Sequence, residues 1–171
     1  MHSMYNIVSG PLVWLAFIIF IGGSIYRLIR LISLVHKKEP FIYSYMSLKY
    51  GLRSILRWST PFATENMRKH PALTIVAFAF HICLILTPIF LLAHVTLIEE
   101  SWNVSWWTLP EGVAEFMTLI VIAACVFFLV RRLVIAEVQY VTSASDYIIL
   151  AIVVAPFLTG FLAYYQWFGP E

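Results

Sequence analysis

The sequence contains few charged residues and none of the motifs typical of soluble enzymes. Only 12% of its 171 residues are Asp, Glu, Lys or Arg, and 61% are hydrophobic, whereas soluble domains are about 45–50% apolar and about 25% charged. The sequence has no glycine-rich phosphate loop, zinc motif or nucleophile elbow, and no internal repeat. These absences argue against a soluble enzyme, and no basic motif indicates a nucleic-acid partner.

The two cysteines do not indicate the redox compartment of the protein. The sequence contains no C-x-x-C-H motif for covalent attachment of a c-type haem. Cys83 and Cys125 both fall within apolar segments. We predict that both are small apolar packing residues.

Four long apolar stretches dominate the chain. Each approaches or exceeds the roughly 20 residues that cross a hydrocarbon core about 30 Å thick. Backbone groups in lipid must be satisfied within the segment, so each stretch is predicted to be a helix. The first runs directly into Arg27 and Arg30 and lacks a basic start, so we expect it to be retained rather than cleaved. The sequence predicts an all-α integral membrane helical bundle, a single domain over residues 1–171 with spans at about 4–28, 71–98, 113–131 and 146–168.

Basic residues are missing from one side of this four-span arrangement. Nine of the eleven Lys and Arg residues lie between spans one and two, and Arg131 and Arg132 lie between spans three and four. The positive-inside rule makes both loops cytoplasmic and puts both ends of this chain outside a bacterial or archaeal cytoplasmic (inner) membrane. This topology explains the arginine pair, and Asp146 is explained by the positive end of a helix dipole.

The outer side is rich in carboxylates and aromatic residues. Glu99, Glu100 and Glu115 flank the outer ends of spans two and three, and we consider a proton or quinone role for them. Aromatic side chains are enriched where a membrane meets water. We expect an anchoring belt made of Trp102, Trp106, Trp107, Tyr164, Tyr165 and Trp167.

The segment between spans one and two predicts a basic amphipathic helix. Lys49, Arg53 and Arg57 recur every four residues and form a basic stripe. An apolar side is formed by Leu48, Leu52, Ile55 and Leu56. We expect this helix to lie in the headgroup region of the cytoplasmic leaflet. The alternative is that its basic surface docks a cytoplasmic partner subunit.

The candidate functional residues are two histidines inside the second span. His81 and His94 lie in one uncharged run from Pro71 to Ile98. A polar group at membrane depth costs free energy and is usually retained where it binds something or relays charge. Imidazole is a standard axial ligand of haem iron. We predict that both histidines ligate b-type haem iron, with interhelical hydrogen bonding as the alternative.

The spacing of the histidines suits two haems rather than one. Thirteen residues separate their α-carbons by about 20 Å along a helix and their side chains by about 140° around it. Pro88 lies between them, and a kink there would change that angle. His70 lies eleven residues before His81, within about 20° of it on an ideal helix, and is a reserve ligand. Pro71 makes His70 a helix-boundary residue, so we rank it third.

Most of the chain resembles a known family of membrane cytochromes. The stretches FHICLILTPIFLLAH and RRLVIAEVQYVTSASDYIILAIVVAPFLTGFL look like the second to fourth helices of the gamma subunit of respiratory nitrate reductase and its relatives. Those relatives include the cytochrome b subunits of the Dsr, Tmc and Hmc transmembrane redox complexes of sulfate reducers. The matching features are Phe80-His81-Ile82, a second histidine toward the outer end, Arg131-Arg132-Leu133, and Thr142 with Asp146.

The resemblance implies a function in electron transfer. The family's gamma subunit carries two bis-histidine b haems and exchanges electrons with a quinone. It implies that His81 serves the haem nearer the cytoplasm and His94 the outer one, with haem b as cofactor and menaquinone as substrate. The implied partners are cytoplasmic iron–sulfur subunits and a periplasmic multihaem cytochrome c. The expected function is a membrane-anchor subunit that transfers electrons between the quinone pool and these partners.

Two features depart from the family pattern. The family's two histidines on this helix are closer together than thirteen residues. The family also has a fifth helix with two further histidines, whereas this chain stops at Glu171 after span four. We expect a C-terminal continuation, because the final FGPE reads like a loop; alternatively another subunit supplies the ligands, or the haems are absent or differently ligated.

Two other functions fit the same sequence less well. The first alternative is a haem-free scaffold subunit that anchors cytoplasmic redox partners. The second is a small transporter or channel subunit, which the shortage of buried carboxylates disfavours.

Overall fold

The computed structural model describes residues 8–38, 41 and 47–165. The predicted parts of the first and last spans at residues 4–7 and 166–168, with Trp167, lie outside these residues, as does the FGPE end. The chain forms two compact units, Met1–Ser59 and Thr60–Glu171, and each is considered by itself.

The first unit contains one long apolar helix. A π-helical turn, Val8–Leu12, leads into helix α1, Val13–Lys38. The segment Gly10–Lys38 is long and apolar enough to cross a membrane. At 1.5 Å per residue α1 is about 39 Å long, which exceeds a hydrocarbon core of about 30 Å. Helix α1 continues ten residues beyond the predicted end of the span at residue 28. Its last turn contains His36, Lys37 and Lys38, and basic side chains are favourable at the negative end of the helix dipole.

The same unit contains the predicted basic amphipathic helix, which is α2, Leu48–Ser59. None of its residues is buried. Lys49, Arg53 and Arg57 lie one position after Leu48, Leu52 and Leu56, so the basic stripe borders the apolar stripe. This arrangement is typical of a helix that lies in a membrane interface.

The second unit begins with a short helix joined to a spanning one. Helix α3 is Glu65–Lys69 and helix α4 is Pro71–Phe90. Pro71 occupies the first position of α4, where a missing N–H costs nothing. The buried Thr74 hydroxyl donates to the carbonyls of Met67, at 2.9 Å, and His70, at 3.0 Å. These bonds fix α3 against the start of α4.

Four more helices complete the second unit. They are α5, Leu92–Trp102; α6, Glu111–Val134; α7, Ala136–Val141; and α8, Ala144–Tyr164. Helix α6 has Glu111 in its first turn and Arg131 and Arg132 in its last, which matches its dipole. At the start of α8, the Ser143 N–H and hydroxyl both donate to the Asp146 carboxylate at 2.8 Å, as expected for an aspartate in the first turn.

Helix α6 is the centre of this unit, because both α4 and α8 pack against it. Val121 of α6 is 0% exposed. The other buried residues of this core cluster are Phe80 and Cys83 from α4 and Ala124 and Cys125 from α6. Helix α8 packs against it through Leu150, Val153, Val154 and Phe157. Small residues at such contacts let helices approach closely, which drives helix association in lipid.

The predicted fold is confirmed. Four helices, α1, α4, α6 and α8, are long and apolar enough to cross a membrane, and the described part of the chain contains no strand. The protein is therefore an all-α, multi-pass membrane protein. Cys83 and Cys125 are free and buried in the core, as predicted. The fifth spanning helix implied by the resemblance is not among the described residues and stays a prediction.

Candidate functional site

The apolar run that contains both histidines is not one continuous helix. It is divided at Leu91, whose φ of −70° and ψ of 129° are extended. The predicted span 71–98 is thus split between α4 and α5. Pro88 was expected to perturb the helix, but it lies within α4 and the break comes three residues later. The reason lies in the hydrogen bonds around the break.

Three consecutive carbonyls at the end of α4 each receive a donor from beyond the break. The Pro88 carbonyl accepts from His94 Nδ1 at 2.8 Å, the Ile89 carbonyl from Trp106 Nε1 at 2.9 Å, and the Phe90 carbonyl from the Leu109 N–H at 2.9 Å. The last carbonyls of a helix have no partner within it, and unpaired ones are costly in a membrane. These three donors therefore stabilise the end of α4.

His81 lies halfway along α4. It is the eleventh of twenty residues, about 15 Å from the first, and a helix of this length is about 30 Å long. Its neighbours Phe80 and Cys83 are in the core, whereas His81 is exposed. Its ring therefore lies near the middle of an apolar span, on a surface that the packed helices of this unit leave open.

The hydrogen bond of His81 determines which ring nitrogen is available. Nδ1 lies 2.6 Å from the Ala77 carbonyl oxygen. A carbonyl only accepts, so Nδ1 carries the proton and a neutral ring has its lone pair on Nε2. In the described part of the chain Nε2 has no hydrogen-bond partner. A histidine that ligates a metal almost always has its other nitrogen bonded in this way.

His94 shows the same arrangement on α5. Its Nδ1 donates to the Pro88 carbonyl, the side chain is exposed, and Nε2 has no partner among the residues that are described. His94 is the third residue of α5, beyond the break. The ideal-helix offset of about 140° from His81 therefore does not apply, because the two residues belong to different helices.

His70, the reserve ligand, lies at the junction of α3 and α4. Its φ of −123° and ψ of 67° are not helical. Its N–H donates to the Asn66 carbonyl at 3.2 Å, and its side chain is exposed. The boundary position predicted from Pro71 is present. Since His70 precedes α4, its predicted alignment with His81 does not follow from the helical repeat.

The described residues contain no cluster of three or more His, Cys, Asp or Glu side chains that could hold a metal ion. The arrangement is instead two separate imidazoles, each with one nitrogen fixed and one available. A haem iron takes its four equatorial ligands from the porphyrin and needs only one or two from protein. The donor chemistry of His81 and His94 fits that requirement for one ligand at each site.

Two pairs of side chains join the ends of α6 and α8. The Tyr164 hydroxyl donates to Glu111 at 2.7 Å, and the Tyr165 hydroxyl donates to Glu115. The sequence predicted these tyrosines only as part of the aromatic belt. It missed these two contacts and that of Trp106 with Ile89, because all three join residues far apart in the chain.

No protein-family model and no solved structure matches the chain. A protein of Nitratidesulfovibrio vulgaris (Hildenborough), whose name states no function, is 36% identical over an alignment of 168 residues, and the match covers 94% of this chain and 73% of that protein. The chain therefore belongs to the same family as this Nitratidesulfovibrio protein.

Proposed function

We propose that the protein is a membrane-anchor cytochrome b subunit of an electron-transfer complex. In this proposal His81 and His94 would each supply an imidazole nitrogen to the iron of a b-type haem. The bound haem would supply reversible one-electron transfer, which protein side chains alone do not. The subunit would transfer electrons between a membrane quinone such as menaquinone and redox partners in or beside a bacterial or archaeal inner membrane.

One observation carries this proposal, namely the position and bonding of His81. An unpaired polar nitrogen in an apolar environment costs about 1–3 kcal/mol. His81 presents such a nitrogen, Nε2, from the middle of an apolar span, while Nδ1 is fixed by the Ala77 carbonyl. A metal-ligand role accounts for both nitrogens. The resemblance to the nitrate reductase gamma subunit supports the same role for these residues.

The chain's own residues would position the haem and fix the ligand orientation. The Ala77 and Pro88 carbonyls hold the two imidazoles in the tautomer that leaves Nε2 available. The core of Phe80, Cys83 and Val121 holds α4 against α6. A second protein ligand for each haem iron would come from His70, from residues outside the described ones or from a partner subunit.

The resemblance implies the partners, and the proposed topology gives the side of the membrane on which each would bind. With both loops that carry basic residues in the cytoplasm, α2 would face iron–sulfur subunits there, and the acidic outer side would face a periplasmic multihaem cytochrome c. His70 remains a reserve ligand.

The alternative function is a haem-free scaffold subunit. It is favoured by the bonds of His81 and His94 to carbonyls of their own apolar run, which give both rings a structural role without any iron.

A reduced-minus-oxidised visible spectrum of the complex purified with the full-length chain separates the two functions. We expect b-type absorbance in the wild type, its loss or halving in His81→Ala, and no change in Ile82→Ala, a neighbouring exposed position on the same helix. Absence of b-type absorbance from the wild type would support the haem-free scaffold instead. Equal absorbance in both variants would refute haem ligation by His81.

A further inference from the structure

A cavity of about 300 Å³ lies where α6, α7 and α8 meet. It is at the end of α6 opposite Glu111, and so at the end of two spans. Its lining combines apolar and charged side chains, namely Phe128, Arg131, Arg132, Val138, Val141, Thr142 and Asp146. The proposed haem ligands are not among them.

The charges of this cavity do not balance. Arg132 Nη1 lies 3.4 Å from Asp146 Oδ1, and the other oxygen of that carboxylate accepts from Ser143. Arg131 has no ion-pair partner in the described part of the chain, although its side chain is half-buried. Two guanidinium groups and one carboxylate leave one net positive charge. A nearby anion would stabilise a partly buried charge that has no ion-pair partner.

The available donors suit a phosphate. A guanidinium presents a planar fork of N–H groups that matches phosphate oxygens. The Thr142 hydroxyl donates to the Val138 carbonyl at 2.6 Å, so it accepts rather than donates toward the cavity. The two arginines therefore provide the donors for an anion.

The surface beside the cavity indicates a lipid as the source of that phosphate. Tyr140 is 92% and Val141 is 82% exposed. At the end of a membrane span, exposed aromatic and apolar side chains contact the boundary between headgroups and acyl chains. Basic pockets between spanning helices at this depth bind anionic headgroups. We propose that the Arg131–Arg132 cavity holds the phosphate of an anionic phospholipid. This site does not depend on whether His81 and His94 bind haem.

Native mass spectrometry of the full chain, released from nanodiscs that contain phosphatidylglycerol and phosphatidylcholine, tests the proposal. We expect the wild type to retain phosphatidylglycerol in preference to phosphatidylcholine. Loss of one basic side chain near anionic lipid changes binding by about fivefold, so Arg131→Gln should lower phosphatidylglycerol retention by about that factor. The matched control is Arg68→Gln, which removes an exposed arginine of α3.

Asp146→Asn tests the same site in the opposite direction and does not depend on whether Arg131→Gln folds. It removes the carboxylate charge and leaves an oxygen for Ser143, so phosphatidylglycerol retention should rise. The proposal is overturned by equal retention of the two lipids, by equal effects of Arg131→Gln and Arg68→Gln, or by no rise in Asp146→Asn. Displacement of the lipid by excess inorganic phosphate would show that the site takes free phosphate instead.

Discussion

The hydrogen bond from Trp106 to the end of α4 predicts a measurable stability effect. Trp106→Phe keeps an aromatic ring and removes the indole N–H, which is 2.9 Å from the Ile89 carbonyl oxygen. The change leaves that carbonyl without its donor, while the bonds to the Pro88 and Phe90 carbonyls remain. The variant therefore isolates one of the three contacts at the helix break.

The magnitude follows from the environment of the bond. A hydrogen bond between elements of a membrane protein contributes about 0.6 kcal/mol on average and at most about 1.7 kcal/mol. An unpaired buried carbonyl would cost more, but Trp106 is exposed and belongs to the predicted interfacial belt, where water limits the cost. We expect a loss of about 1 kcal/mol in the free energy of unfolding, which is about fivefold in the folding equilibrium.

The assay is reversible unfolding of the purified full chain by SDS in mixed micelles, followed by far-ultraviolet circular dichroism. The matched control is Trp107→Phe, because the Trp107 ring contacts Phe90 at a centroid distance of 5.8 Å and is 65% exposed. Phenylalanine preserves most of that contact, so the control should change stability by less than about 0.5 kcal/mol. Equal stability of the two variants would refute the role of the indole N–H.

Two further substitutions test the packing and the α3–α4 junction in the same assay. Ala124→Leu adds volume to the core between α4 and α6 and should lower the free energy of unfolding by about 1–3 kcal/mol. Its control, Val126→Leu, lies at a position of α6 that is 54% exposed and should be near neutral. An Ala124→Leu variant as stable as the wild type would contradict the close packing. Thr74→Val removes a buried hydroxyl that donates to the Met67 and His70 carbonyls and should cost about 1–2 kcal/mol. Its control, Thr96→Val, removes an exposed hydroxyl that donates to the Leu92 carbonyl at 2.9 Å, and a cost as large as that of Thr74→Val would argue against the junction.

Features with a local cause could be predicted from the sequence. Apolar length alone indicated the four spanning helices, and the four-residue recurrence of Lys49, Arg53 and Arg57 indicated α2. Pro71 indicated the start of α4, since proline suits a first helical position and disfavours helix before it. Each of these signals acts within a few residues, so no tertiary information was needed.

Features that depend on distant residues could not be predicted. The sequence drew attention to Pro88, yet the break is at Leu91, because donors from Trp106 and Leu109 arrive after a reversal of the chain. The contact of Tyr164 with Glu111 joins residues 53 positions apart. The bonds of His81 and His94 to carbonyls four and six residues earlier are local, and they were missed for a different reason: an imidazole in an apolar run carries no sign of which nitrogen is used.

Because of the break at Leu91, the direction of the His81 side chain around its helix axis does not fix that of His94. In one continuous helix, inserting a residue between His81 and His94 would turn one imidazole about 100° relative to the other and move it along the axis. Because Leu91 is extended, α5 begins a new hydrogen-bond ladder, and the bond of His94 Nδ1 to the Pro88 carbonyl, rather than a continuous helical repeat, ties α5 to the end of α4. Evolution could therefore change the number of residues between these histidines, and so their separation across the membrane, while each imidazole keeps its own orientation.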